Sequence, residues 1–263
     1  MIFMNWALRR QIFYVSILIL FILFLGFLII SPNLNQAPSC TDGKQNGNET
    51  GIDCGGSCAI ACLAETEDAS VVWARAFKVV AGRYNAVAYI TNHNKNTAAK
   101  KVNYRFRFAD KNNVYIGKRE GSTFIPAGGN FAVFEPAIDI GNSILVYTTF
   151  EFTEKPIWFQ VPPDKLDQLK ISVSDITLTD EMTSPRLGAT LKNNSFFTIP
   201  DVGVVAILYD KNGNAVATSR TYINQLNGMQ NSEINFTWPE PFSDSVISKE
   251  IIPMYDIFSA RLK

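Results

Sequence analysis

The longest apolar stretch of the chain lies near its start. Residues 12–30 form nineteen consecutive positions without a charged side chain and almost without a polar one. A helix of that length spans about 28 Å, close to the thickness of the hydrocarbon core of a bilayer. The pattern predicts a transmembrane helix at residues 12–30, with a head before it (residues 1–11) and a polar spacer after it (residues 31–39).

The charges beside this stretch predict its orientation. Arg9 and Arg10 precede it, and the next basic residue is Lys44. Positive charge marks the cytoplasmic end of a span, so we expect a single-pass membrane protein whose N-terminus is cytoplasmic and whose bulk is extracytoplasmic. A cleaved signal peptide and lipidation at Cys40 are the alternatives. The apolar core is longer than that of a signal peptide, and the residues before Cys40 make a poor lipidation site.

From about residue 69 onward, short runs with turn signals between them replace the continuous apolar pattern. The run VNYRFRF at residues 102–108 alternates apolar and polar side chains without a miss. Such alternation predicts a strand with one face in a core and the other in water. The sequence DKNN at residues 110–113 then predicts a turn into a return strand.

The same arrangement recurs one hundred residues later. VGVVAILY at residues 202–209 leads into DKNG at residues 210–213, and AVAYITN at residues 86–92 matches LGATLKN at residues 187–193. A repeat at constant offset predicts duplicated domains. We therefore predict an all-β ectodomain of two tandem immunoglobulin-like β-sandwiches, which follow the transmembrane helix and a small disulfide-rich segment. The predicted domains are residues 69–155 and 169–263.

Residues 156–168 are predicted to link the two domains. Pro162 and Pro163 should hold this linker extended, and one helical turn is predicted at residues 164–169. Trp158 and Phe159 are too large and apolar to be left exposed together, so we predict that they pack at the domain junction. The expected result is a semi-rigid rod with a modest interface at the linker.

All four cysteines fall within residues 40–62, which form a cysteine-rich segment with many glycines and no apolar periodicity. Outside the cytoplasm such a segment is held by disulfides, so Cys40, Cys54, Cys58 and Cys62 are predicted to form two. Three connectivities are open. A four-cysteine zinc site is the rival, although the spacing is not that of two CxxC knuckles.

A set of oxygen-bearing side chains lies between the first two cysteines. We predict a tentative calcium site there, because Ca²⁺ binds oxygens presented by glycine-rich loops. The alternative is a turn-rich loop in which these side chains cap their own backbone. The five candidate ligands are Asp42, Asn46, Asn48, Glu49 and Asp53.

Composition and charge narrow the function classes. The 19 Phe and 9 Tyr favour strands. Of 24 basic and 24 acidic residues, only the two arginines lie in residues 1–30, so the remainder has a net charge of −2 and does not suggest a nucleic-acid partner. His93 is the only histidine and lies in a polar turn, and no hydrolase or phosphate-loop motif is present. We predict no enzyme activity and no catalytic residues.

Two family resemblances add to this picture. Residues 40–58 resemble the C-x-D-G-x-x-N-G-x-E-x-G-x-D-C-G-G-x-C motif of exported bacterial surface proteins. AILYD at residues 206–210 and FRFAD at residues 106–110 resemble the signature of the FxLYD family of small immunoglobulin-like domains in prokaryotic envelope proteins. The second resemblance implies extracytoplasmic β-sandwiches without known catalytic residues.

Together these features predict a membrane-anchored interaction or structural protein that presents two β-sandwich domains to a protein or surface-polymer partner. The alternative function is an accessory subunit of an envelope assembly, such as a secretion or pilus machine, in which the transmembrane helix makes specific contacts.

Overall fold

The structure is a computed structural model, and it describes residues 6–34, 37–141 and 143–262. The chain divides into two compact units, Met1–Asp53 and Cys54–Lys263. The division falls inside the cysteine-rich segment, so that segment belongs partly to each unit.

The first unit contains one long helix, α1 (Trp6–Leu34). It begins before and ends after the predicted span at residues 12–30. Within it, Leu8–Ile29 is long and apolar enough to cross a membrane. Its described side chains are almost all exposed, for example Leu20 at 65 % and Phe27 at 66 %. A helix that is apolar on every side is typical of a membrane span or of a helix buried inside a large protein. Residues 37–53 follow as a turn-rich loop.

The second unit is built from strands, as predicted. A single 3₁₀ turn (Leu63–Glu65) and a six-residue helix, α2 (Pro163–Gln168), are its helical elements within the described residues. The strands are β1 (Ser70–Val80), β2 (Arg83–Asn92), β3 (Thr97–Ala109), β4 (Tyr115–Ile125), β5 (Gly129–Asp139), β6 (Tyr147–Phe152), β7 (Phe159–Gln160), β8 (Ile171–Thr179), β9 (Arg186–Asn193), β10 (Phe197–Tyr209), β11 (Ala215–Leu226), β12 (Asn231–Thr237), β13 (Ser248–Met254) and β14 (Arg261–Leu262).

These strands form four antiparallel sheets, two in each sandwich. Sandwich 1 consists of an inner sheet, β1-β2-β5, which faces the other sandwich, and an outer sheet, β4-β3-β6, which faces away from it. The short strand β7 pairs with β3 beside this outer sheet. Sandwich 2 consists of an inner sheet, β11-β10-β13 with β14 beside β10, and an outer sheet, β12-β9-β8. Strand order and chain order correspond between the copies, with β1 to β7 matching β8 to β14. The predicted all-β fold is therefore confirmed.

Strand β3 has the alternation that its sequence predicts. Val102, Tyr104, Phe106 and Phe108 are buried in the core of sandwich 1. The intervening Arg105 pairs with Glu120 and Glu151 on the outer face. This face of the outer sheet is polar and solvated.

Strand β10, its counterpart, is buried on both faces. Val204, Ala206 and Leu208 belong to the core of sandwich 2. Val205 and Ile207 point the other way and join the hydrophobic cluster that fills sandwich 1. A strand covered on both sides has no wet face, which explains why its sequence is continuously apolar.

The two sandwiches are thus joined sheet to sheet. The outward-facing residues of the inner sheet of sandwich 1, among them Val87 and Phe134, share one cluster with Val205, Ile252 and Met254 of sandwich 2. The expectation of a rod with a modest interface at the linker is therefore wrong. The two inner sheets turn apolar side chains toward each other over their whole contact, and these bury more surface than two linker aromatics can.

The linker also contains more regular secondary structure than the extended segment that its two prolines predicted. Pro162 is extended, at φ −56° and ψ 133°, but Pro163 is the first residue of α2, where a proline has no hydrogen bond to lose. The predicted helical turn is confirmed by α2. Before it, β7 pairs with the start of β3, and Val161 is buried in the core of sandwich 2.

Candidate functional site

The cysteine-rich segment is held by disulfides, as predicted. Cys54 is bonded to Cys62 within the second unit. Cys40 and Cys58 form the other disulfide, so all four sulfurs are committed. The prediction of two disulfides is confirmed and the connectivity is decided. The same bonds leave no thiolate for the rival zinc site.

The end of this segment is attached to the domain linker. The Ala61 amide donates to the Trp158 carbonyl at 2.9 Å, and the Gln160 amide donates to the Ala59 carbonyl at 2.8 Å. Ile60 forms an antiparallel bridge with Phe159. Residues 59–61 therefore extend the sheet beyond β7, and the Cys54–Cys62 disulfide closes the turn that brings them there.

Trp158 and Phe159, the predicted junction residues, occupy different environments. Trp158 is 1 % exposed and belongs to the large cluster that includes the core of sandwich 1. Phe159 is half-buried, and its ring makes an edge-to-face contact with the ring of Phe258 in sandwich 2, with the ring centroids 5.8 Å apart. The Lys100 ammonium lies over both rings, 4.3 Å and 5.0 Å from their centroids. Phe159 thus contacts both domains, whereas Trp158 is deep in a core, where we did not expect it.

The carboxylates predicted to bind calcium accept hydrogen bonds from their own loop. Asp53 accepts from the amides of Asp42 and Gly43, at distances from 2.9 to 3.1 Å. Asp42 accepts from the Lys44 amide at 2.9 Å and from the Asn46 side chain at 2.8 Å. The bond from Asn46 is the main reason that the pKa of Asp42 lies below its usual value.

The two remaining candidates complete this description. Glu49 Oε2 accepts from the amides of Asn46 and Asp53, and the Asn48 side chain is exposed. A cation would have to displace several of these hydrogen bonds, so the loop fits the capped-turn interpretation better than a calcium site. Calcium binding stays a prediction, and we derive nothing further from it.

The lone histidine lies on the surface. His93 Nε2 is 2.9 Å from the Ser70 hydroxyl, and both residues are exposed. Among the described residues, no carboxylate is hydrogen-bonded to the other ring nitrogen of His93, so no third group orients this pair as in a nucleophilic triad.

A partly buried polar cluster lies in the interface between the sandwiches. The Glu250 carboxylate on β13 accepts from the Tyr89 hydroxyl at 2.8 Å and from the Tyr209 hydroxyl at 2.7 Å. Asn130 donates to the Tyr89 hydroxyl, and the Trp73 ring stacks on the Tyr89 ring with centroids 5.4 Å apart. A carboxylate between apolar sheets is thereby hydrogen-bonded from both domains.

These contacts change the acidity of the tyrosines. Burial, with the adjacent Glu250 carboxylate, raises the pKa of Tyr89 to about 12. The same causes raise the pKa of Tyr209. Both hydroxyls therefore remain protonated donors to Glu250 at physiological pH.

Arg220 on β11 makes a second polar contact across the interface. Its Nη1 donates to the Phe134 carbonyl of sandwich 1 at 3.3 Å, and its guanidinium lies over the Phe134 ring, 5.2 Å from the centroid. No carboxylate of the described residues lies within ion-pair distance of Arg220. The nearby acids have other partners: Glu135 accepts from Tyr104, and Asp201 accepts from Tyr222.

Beside Arg220 a cleft of about 350 Å³ opens between the sandwiches. Its floor is buried and apolar, and includes Phe134, Val205 and Met254. Its rim is polar and exposed, with Arg220 and Tyr222 on one side. The volume is near the lower end of the range for ligand sites. This cleft combines an apolar floor with a cation that forms no ion pair among the described residues.

Sequence reasoning did not find the interface or the cleft. Their residues lie on strands predicted only to form two separate sandwiches. One signal was available: the five apolar residues at positions 204–208 leave no polar face on β10, unlike the alternating β3.

Comparisons with known proteins assign no family to the chain. No family model matches it, and no curated protein matches it. Among solved structures it is similar to red sea bream transglutaminase, with 8 % identity over 71 % of this chain and 31 % of that one, at a TM-score of 0.22. It is also similar to a β-glucuronidase of Bacteroides uniformis, with 11 % identity over 67 % of this chain and 26 % of that one, at a TM-score of 0.21. The chain spans a third or less of these proteins, and TM-scores of this size carry no argument.

Proposed function

We propose that the chain is a membrane-anchored extracytoplasmic interaction or structural protein, which presents two β-sandwiches to a protein or surface-polymer partner as one rigid body. The observation that carries this proposal is the interface between the inner sheets. Val205 and Ile207 of sandwich 2 are fully buried in the cluster of sandwich 1. A large apolar interface between domains removes the relative motion expected of separate modules.

Three further observations support the membrane-anchored, extracytoplasmic part of the proposal. The helix α1 contains a segment apolar and long enough to serve as an anchor. The four cysteines of the described chain are in disulfides, which form and persist in oxidising compartments. The basic residues Arg9 and Arg10 at the start of α1 favour a cytoplasmic N-terminus.

The orientation is tested by protease added outside spheroplasts of the expressing cells. We expect cleavage beyond about residue 31 without membrane disruption, and release of a fragment that contains both sandwiches. If cleavage requires disruption of the membrane, the proposed orientation is wrong. Non-reducing mass spectrometry of the same material should find no alkylatable thiol.

The rigid-body part needs a separate test, because the anchor could be correct while the domains move freely. Limited proteolysis of the full chain in detergent should leave residues 156–168 uncut, since this segment is packed against both sandwiches. Early cleavage there would contradict the rigid body.

A swap of residues 12–30 for a plain leucine span then tests the alternative function. The interaction proposal expects partner binding to survive the swap, and an accessory-subunit role expects its loss.

A further inference from the structure

The cleft between the sandwiches contains the cation described above, and that cation lacks an anionic partner. Arg220 has a single described hydrogen bond, to the main chain of Phe134, and the Phe134 ring supports the face of its guanidinium. A guanidinium fixed in this way keeps N–H donors in a fork that matches a carboxylate. Glu135 and Asp201 form no ion pair with it, and each accepts a hydrogen bond from a tyrosine hydroxyl.

The rest of the cleft is suited to an apolar group. Ala132, Phe134, Val205 and Met254 are buried and line its floor, and the ring of Phe124 lies beside them. An apolar side chain that enters the cleft would leave water for a surface already formed. A sugar or a fully hydrated anion would leave this floor without a partner.

A strand edge lies next to the same cleft. Strand β4 is at the edge of its sheet, with β3 on one side and no strand paired along the other side in the described ranges. Its residues Ser122, Thr123 and Phe124 line the cleft. An exposed edge offers main-chain N–H and C=O groups to an extended peptide, the mode known as β-augmentation.

We propose that this cleft binds the C-terminal carboxylate of a partner peptide whose last side chain is apolar. The carboxylate pairs with Arg220, the last side chain occupies the apolar floor, and the preceding residues lie along the edge of β4. Asp201, the acid on the rim, accepts from Tyr222 and disfavours a second negative charge on the peptide. The proposal deepens the proposed function, on which it rests, by naming the chemistry of the partner.

The test uses the full chain in detergent micelles and a fluorescent tetrapeptide that ends in leucine with a free carboxylate. Fluorescence polarisation should show saturable binding. The same peptide with an amidated C-terminus should bind at least tenfold more weakly, because it lacks the charge that Arg220 neutralises. A free-acid peptide that ends in serine should also bind more weakly.

Variants of the chain assign the effect to the cleft. Arg220→Met keeps an apolar stem over Phe134 and removes the charge, so it should abolish the preference for the free acid. Arg186→Met, which changes an exposed arginine at the start of β9 outside the cleft, should leave the preference intact. Thermal unfolding of both variants separates loss of binding from loss of fold. If Arg220→Met does not fold, Phe124→Ala replaces it, and should reduce the preference for leucine over serine.

The proposal is overturned if the free acid and the amide bind equally, or if neither binds up to millimolar concentration. N-acetylleucine is the probe for a small-molecule ligand. If it binds as tightly as the tetrapeptide, the cleft is a site for a small carboxylic acid, and the peptide assignment is wrong. The protease test of membrane orientation has a different readout, so its failure and the failure of peptide binding are distinguishable.

Discussion

Strands β3 and β10 occupy the same position in the two copies of the sandwich, and their side chains differ in polarity on one face only. Their core-facing residues are equivalent: Val102, Tyr104, Phe106 and Phe108 in β3, and Val202, Val204, Ala206 and Leu208 in β10. On the other face, Arg105 and Arg107 of β3 correspond to Val205 and Ile207 of β10. The charged pair faces solvent, and the aliphatic pair is buried against the other domain.

The same contrast appears, with the copies exchanged, on β2 and β9. The outward-facing Val87 and Tyr89 of β2 lie in the interface, whereas their counterparts in β9 are Gly188 and Thr190. The inner sheet of sandwich 1 is therefore packed on the non-equivalent sheet of sandwich 2. Such a heterologous contact could in principle repeat without end. The ion pairs of Arg105 and Arg107 on the outer face of β3 prevent a further sandwich from packing there, because its sheet would have to bury these charges.

The largest expected effect comes from placing the β3 residue into β10. Val205→Arg introduces a cation into a buried site directly opposite Arg220, its cross-strand neighbour. A buried charge without a partner costs about 3–5 kcal/mol, so we expect either a large fall in the free energy of unfolding or separation of the sandwiches. Urea unfolding followed by tryptophan fluorescence measures both. An unchanged midpoint would show that this face of β10 is not buried. Val205→Ala, the milder control, should cost less.

The second prediction concerns a position at which the two copies agree. Asn193 is fully buried, and its Nδ2 donates to the carbonyls of Phe197, Leu226 and Asn227. Asn193→Ala should cost at least about 2 kcal/mol, because these buried acceptors lose their donor. The equivalent Asn92→Ala should cost a similar amount. A neutral result at either position, in the same urea experiment, would contradict a shared structural role.

The third prediction is a pH dependence to which an interface tyrosine contributes. The pKa of Tyr89 is raised to about 12 in the folded protein, from 10.0 for an ordinary tyrosine. Above pH 10 the unfolded chain loses a proton that the folded protein keeps, so the free energy of unfolding should fall as pH rises from about 10 to about 12. Tyr89→Phe should make this fall less steep. The exposed Tyr115→Phe is the matched control, and an equal change in both variants would refute the assignment.

The smallest effect is expected on the outer face of β3. Arg105→Ala removes ion pairs to Glu120 and Glu151 that lie at the solvent boundary. Exposed pairs contribute little because water and salt screen them, so the urea midpoint should be unchanged within error. A loss as large as that of Val205→Ala would mean that the outer face is covered by another molecule, and would break the contrast with β10.

The sequence alone determined the local architecture. Nineteen uncharged residues predict a membrane-spanning helix, because the backbone of a span must satisfy its own hydrogen bonds in an apolar solvent. The alternation in residues 102–108 and the repeat at residues 202–209 predict strands and a duplicated sandwich, since side chains alternate across a sheet. Four cysteines within one short segment predict disulfides, although not their pairing.

Only the tertiary structure decided which sheet faces meet. Periodicity shows that β10 has no solvent-exposed face, but it does not show what covers the second apolar face, since that surface comes from strands of the other sandwich, far away in the sequence. The same limit applies to the cleft: Phe134 and Arg220 are 86 positions apart, and only the packing of two inner sheets brings the ring under the guanidinium. Trp158 illustrates the converse case. Its large apolar side chain correctly predicted that Trp158 is buried. Where it is buried was decided by how the linker packs on the folded domains, which places Trp158 in the large cluster that includes the core of sandwich 1.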